Sequence, residues 1–202
     1  MAPQTIHRLK EHQPMPISQQ EFKKTVKQFA KIEERSGFWA RARNLQLAGY
    51  ETEAYVLLLA TWNFAGFRYL LNDFNANKFE AAVKKLNPVF DRLKAQTLKT
   101  ADLDDKALAK DIKLIYRKLK GMVKQTGASK LMALKNPALF VMWDTKIRKM
   151  YRINNVAEPD DYLRFLKRMK QEFAHIKWAD PSTPLAKAID EYNYLKAASA
   201  AI

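Results

Sequence analysis

Helical periodicity runs almost unbroken through this chain, and it constrains the fold more than any single motif. From residue 18 onward apolar side chains recur at the spacing of one helix face. No segment alternates as a half-buried strand does. The sequence has only five glycines, and they fall between periodic segments. The spacing predicts an all-α globular bundle of about eight to ten helices, in one body or in two lobes with a cleft between them. With 202 residues and 48% hydrophobic content, the chain can bury one core of ordinary domain size. No internal repeat or linker divides it, so residues 18–202 read as a single domain.

Local signals set the expected boundaries. Residues 1–17 are polar, Pro-containing and basic, the composition of a flexible arm. Ser18-Gln19-Gln20-Glu21 fits a capping box, with Ile17 and Phe22 placed for a hydrophobic staple. The helix that follows presents Phe22, Val26 and Phe29. Gly37 is expected to break it, and a second helix to run to Gly49. Residues 51–71 form the most apolar segment, expected as one central helix. Asn75 or Asn77 caps the next, and Asn87-Pro88 opens another. Asp102 or Asp104 starts a helix with core face Leu108, Ile112, Ile115 and Leu119, which Gly121 stops. A short helix over 127–135 is followed by Asn136-Pro137 as a further cap and first turn. Asp144 caps a helix to Ile153, ended by Asn154-Asn155. Pro159 to Trp178 forms a helix with Tyr162, Phe165, Leu166, Met169 and Phe173 inward. Thr183-Pro184 starts the last, and the tail from Ala197 frays.

Charge narrows the partners. Lys and Arg number 36 against 21 Asp and Glu, a formal charge of +15. A polyanion or an anionic surface is the natural balance for such an excess, with DNA or RNA first and a membrane surface second. The absence of cysteine removes disulfides, cysteine-ligated zinc and thiol nucleophiles together. It suits a cytoplasmic chain. His7, His12 and His175 are too scattered for a metal site, so no metal and no cofactor is expected. The apolar run from Ala54 to Ala60 is too short to span a bilayer, so no membrane partner is expected and the chain reads as a monomer.

Within this basic chain one carboxylate stands out. Asp144 follows Trp143 at a helix start, just ahead of Lys146, Arg148, Lys149 and Arg152. Two roles fit it. It is an ordinary N-cap, worth about 1 kcal/mol, or it acts on a polyanion.

The segment 121–152 resembles the core motif of the helix-hairpin-helix DNA glycosylase superfamily. In that family a Gly-containing hairpin leads into a helix that begins with Ala and a small residue. An Asp follows about sixteen residues later, in a pattern like Asp-Thr-His-Val-x-Arg. Ala128-Ser129 and Asp144 stand at that spacing here, followed by Thr145, Lys146 in the His place, Ile147 in the Val place and Lys149 in the Arg place. Three departures are evident. Gly121-Met122-Val123-Lys124 lacks the Gly-x-Gly that brings backbone amides against a phosphate. Lys146 replaces the His. Thr126 stands where bifunctional members carry a Schiff-base lysine, with Lys124 and Lys130 nearby as displaced lysines.

The resemblance implies a monofunctional DNA N-glycosylase with Asp144 as its catalytic carboxylate. Breaking an N-glycosidic bond creates an oxocarbenium-like sugar, which a carboxylate stabilises while it orients water. Lys124, Thr126, Gly127, Ser129, Lys130, Lys146, Arg148, Lys149 and Arg152 are the expected DNA contacts, helped by the amides at the start of their helix. Trp62, Asn63, Arg68, Tyr69 and Trp143 are the expected base pocket, because a flipped base needs a stacking surface and polar edge contacts. Trp62 and Tyr69 share a helix face, while Phe64 and Phe67 point elsewhere. Core packing is the alternative for each of these aromatics. Trp39, Arg41 and Arg43 fit a wedge and phosphate clamp or internal packing. Arg164, Lys167, Arg168 and Lys170 form a basic helix face. The substrate expected from this resemblance is a damaged base, or a modified base such as those of phage DNA targeted in antiviral defence. The other readings are a non-enzymatic DNA-binding protein and a module for RNA or acidic proteins.

Overall fold

The computed structural model describes residues 17–33, 36–68, 71–72, 74–153 and 157–199. Ten helices and no strand occur among them, so the fold is all-α. The arm over 1–16, Tyr69 and Asn154-Asn155 lie outside the described residues.

The first helix, α1 (Gln19–Ile32), begins where the Ser18 hydroxyl accepts the Glu21 amide at 3.1 Å. Only half of the expected capping box forms. The Glu21 carboxylate turns instead to Lys196 and Tyr192 near the other end of the chain. Phe22, Val26 and Phe29 are buried as their spacing predicts. Gly37 does not interrupt a helix; it lies inside α2 (Ser36–Leu47). The turn to α3 (Glu51–Trp62) passes through Gly49 at φ +91°, a conformation open to glycine.

The expected single helix over 51–71 is divided. Asn63, at φ −137° and ψ 28°, separates α3 from the one-turn α4 (Phe64–Phe67). Asn75 caps α5 (Ala76–Lys84) by accepting the Lys78 amide at 2.9 Å. Asn87 does not cap α6 (Asn87–Leu93). Its side-chain oxygen accepts from Lys135 Nζ at 2.9 Å, a tertiary contact that outcompetes the local one.

The longest helix, α7 (Lys106–Lys135), is capped by Asp105, one residue past Asp104, through the Leu108 amide at 2.8 Å. It continues through Gly121 and breaks at Val123–Lys124, where Lys124 has φ 61° and ψ −179°. Asn136 ends α7 rather than opening a new helix. Its amide donates to the carbonyls of Leu93 and Gln96, and its oxygen accepts the amides of Ala138 and Leu139. That staple leads the buried segment Leu139 to Trp143 through the core. Asp144 then opens α8 (Thr145–Met150), shorter than expected. α9 (Pro159–Glu172) buries Tyr162, Phe165, Leu166 and Met169, and Phe173 just beyond it. α10 (Leu185–Ser199) begins after Pro184, and Ala197 is packed inside rather than frayed.

One apolar cluster joins all these elements. Its spine is α7, which packs on α3, α4, α6 and α9, and α3, from the apolar 51–71 segment, is central with it, packing on α2, α4, α5 and α7. α1 lies against α10, and α10 against α8. Among the described residues no helix is long and apolar enough to cross a membrane.

Candidate active-site cleft

The break in α7 builds the site. After Lys124 the helix resumes, and Gly127 lets it start in close contact. A Cβ there would meet Val123 side-chain atoms at 2.9 Å and Leu59 Cδ2 at 3.1 Å. Two residues on, fully buried Ser129 clamps the segment before α8. Its Oγ accepts the Trp143 amide and lies equally close, at 3.2 Å, to the Trp143 carbonyl oxygen. The Trp143 indole donates to the Gln125 carbonyl at 3.3 Å. A small residue after Ala128 and an Asp one residue after the clamped Trp are therefore structurally linked: the first fixes where the second stands.

Asp144 stands half-exposed at the cap of α8, its Oδ1 accepting the Ile147 amide at 2.8 Å. It lines a cleft of about 760 Å³. The α3–α4 corner supplies Trp62, Asn63 and Phe64 to one wall. Lys124, Thr126 and Lys130 come from α7, and Lys146 and Arg148 from α8. Phe29 and Glu33 enter from the end of α1, and Asp190 and Tyr194 from α10. The expected catalytic carboxylate and much of the expected pocket and contact set thus meet in one place.

Several residues are arranged differently from expectation. Trp143 is fully buried, edge-on to Tyr116 and Tyr162 and tilted against Phe165, so its ring is floor beneath the cleft and not a stacking surface. Gly127 and Ser129 are interior and shape the site without facing a ligand. Arg148 is 6% exposed, too deep for a surface phosphate contact. It donates to Thr126 Oγ1 at 3.2 Å and to Thr145 Oγ1 at 3.3 Å, and its guanidinium lies 5.8 Å from the Trp143 ring centroid. Burial lowers its pKa, and its Nε–H is buried with no acceptor in reach. Thr126 therefore holds a buried guanidinium where the resemblance would place an amine.

Lys124, Lys146, Lys149 and Arg152 are exposed, and the first two line the cleft. Lys149, on α8, and Arg152, just beyond its end, do not line it. Arg68 is exposed away from the cleft, and Tyr69 is outside the described residues. The amides opening α8 offer little, since that helix has six residues and Asp144 itself takes the Ile147 amide. The basic face of α9 is largely paired within the protein: Arg164 with Asp161, Lys167 with Asp104, Arg168 with Glu172 and Lys170 with the Ala101 carbonyl. Trp39 packs on Trp62 at 6.0 Å, and Arg43 donates to the Leu134 carbonyl, so both serve the interior rather than a clamp.

Lys130 is buried, donating to the Trp62 carbonyl, with its ammonium 5.8 Å from the Trp62 ring centroid. Beyond Trp62 lies Lys187, 3% exposed, whose ammonium sits 4.9 to 5.2 Å from the rings of Trp62, Phe29 and Trp39. It is paired with Asp190 at 3.2 Å and Glu191 at 2.9 Å. Comparison with protein-family models, with curated proteins and with solved structures gives no match.

Sequence reasoning missed Asp190, Tyr194 and Phe29, and turned Phe64 away from the site. Lys187, Asp190 and Glu191 stand at i, i+3 and i+4, the spacing of solvated pairs on a helix surface. Only the flanking Ala186, Ala188 and Ile189 hinted that this stretch is interior. Phe64 is 58% exposed at the mouth of the cleft because the chain turns at Asn63; an unbroken helix would have aimed it elsewhere. Among the described residues no cluster of His, Asp and Glu fits a metal ion.

Proposed function

We propose that this chain is a monofunctional DNA N-glycosylase that binds double-stranded DNA, extrudes a damaged or modified base and hydrolyses its glycosidic bond. One arrangement carries this reading: a half-exposed carboxylate, Asp144, at a cleft of about 760 Å³ walled by Trp62, Phe64 and Tyr194 and edged by Lys124 and Lys146. The volume falls in the range of small-ligand pockets, and aromatic walls suit a flipped base. Lys124, Lys146, Lys149 and Arg152 hold the phosphates. Phe64, exposed beside the cleft, fills the stack that the base has left. Asp144 stabilises the cationic sugar and directs water to C1′, leaving an abasic site. The target is a lesion or a modified base, with modified phage DNA as one substrate class.

The cap hydrogen bond of Asp144 favours a second reading, a non-enzymatic DNA-binding protein in which Asp144 is structural. Asp144→Asn separates the two, because Asn caps a helix as well as Asp but carries no charge. The variant is expected to melt within a few degrees of wild type, to bind duplex DNA with similar affinity at one salt concentration, and to form no abasic sites. Base release by the variant at the wild-type rate, or by neither protein across a panel of damaged and modified duplexes, rejects the glycosylase.

A further inference from the structure

Three described carboxylates line the cleft, Glu33, Asp144 and Asp190, and of these only Asp190 is buried. It projects from α10 at 6% exposure, with Lys187 donating to its Oδ2 at 3.2 Å. Glu191, one residue on, shares the Lys187 ammonium. Lys130 of α7 also acts on Asp190. Burial pushes the Asp190 carboxyl up to about 6; Lys187 and Lys130 draw it down and Glu191 pushes it further up. The cleft therefore holds two carboxylates in opposed surroundings, one wet and anchored by a backbone amide, the other dry and able to hold a proton near neutrality. Such divergence within one site divides base from acid.

Resting on the glycosylase reading, we propose that Asp190 is the general acid that protonates the departing base. The C1′–N bond breaks with its electron pair going to the base, and the Asp190 proton moves to a nitrogen or oxygen acceptor on that base. Water directed by Asp144 forms the new C1′–O bond and releases its proton to solvent. The Asp190 carboxylate left behind is stabilised by Lys187, already in contact, and regains a proton from solvent through the cleft.

Leaving-group chemistry tests this. Uracil and hypoxanthine depart as anions unless protonated, whereas N7-methylguanine is already cationic and needs no acid. Single-turnover release from duplexes carrying each base is measured for wild type and Asp190→Asn from about pH 5 to about pH 8. For neutral bases, wild-type release is expected to fall about tenfold per pH unit above the acid's ionisation, and the variant to be about 10²- to 10⁴-fold slower with a flat profile. N7-methylguanine release should change only a few-fold. Equal losses on both base classes, no loss on either, or wild-type release confined to cationic bases would overturn the assignment. If the variant does not fold, the wild-type profile and Asp190→Glu decide: a flat neutral-base profile, or no shift of its acid limb in Asp190→Glu, is equally fatal. Absence of any base release by wild type defeats the glycosylase reading, whereas release that ignores Asp190 defeats only this one.

Discussion

Lys124 occupies a backbone conformation, φ 61° and ψ −179°, that is almost reserved for glycine and costs a side chain about 1–3 kcal/mol. Lys124→Gly should therefore raise stability by about 1 kcal/mol after the extra freedom of the unfolded glycine is subtracted. Lys124→Ala should give no gain, and thermal melting distinguishes the two. Asp190 carries a second expectation. Its pKa is raised from 3.8 to about 6 in the fold, so between those values the folded protein keeps a proton that the unfolded chain has lost. Its contribution to stability is complete below about pH 4 and is lost as pH rises through about 6, an effect of about 3 kcal/mol at ~1.4 kcal/mol per unit. The stability of wild type minus that of Asp190→Asn should fall by that order between those limits in urea unfolding. A constant difference would contradict it.

At the level of elements, the break in α7 depends on close contact between its second half and Val123 and Leu59. Gly127→Ala puts a methyl group 2.9 Å from Val123 atoms, and a loss of about 1–3 kcal/mol is expected from overpacking. Chemical denaturation measures it; a neutral substitution would mean that the break adapts freely. Elements whose signals are local were legible in the sequence: α1 from Ser18 and the Phe22-Val26-Phe29 spacing, α5 from Asn75, α9 from its inward aromatics. Elements decided by tertiary contacts were not. Asn87 and Asn136 both precede proline and look like caps, yet one accepts from Lys135 and the other binds Leu93 and Gln96. Gly121 looks like a stop, but nothing near it prevents the helix from continuing, and the strain falls on Lys124 instead. The same distinction holds for the cleft. Thr126, Lys130, Asp144 and Lys146 come from one continuous stretch and were visible together, whereas Phe29, Asp190 and Tyr194 arrive from chain positions that no local pattern connects to it.

Across the whole molecule the formal charge of +15 is unevenly spread. Around α9 it is offset by Asp104, Glu158, Asp160, Asp161 and Glu172. On α1, Lys23, Lys24, Lys27 and Lys31 are exposed and the helix's one carboxylate, Glu21, is engaged by Lys196. The last turn of α1 brings Phe29 and the following Glu33 into the cleft wall, so on the proposed function this face would carry a phosphate backbone past it. Replacing these lysines with Gln should lower the slope of log affinity against log salt by about 0.9 for each duplex phosphate that is no longer neutralised. An unchanged slope would leave α8 and Lys124 as the sole tracks. The packing of α10 against α1 and α8 has a different kind of consequence, one of timing. The polypeptide is synthesised from α1 onward, so the wall bearing Asp190 and Tyr194 is missing until Leu185–Ser199 has left the ribosome. A nascent chain would already expose the lysines of α1, but without the assembled cleft.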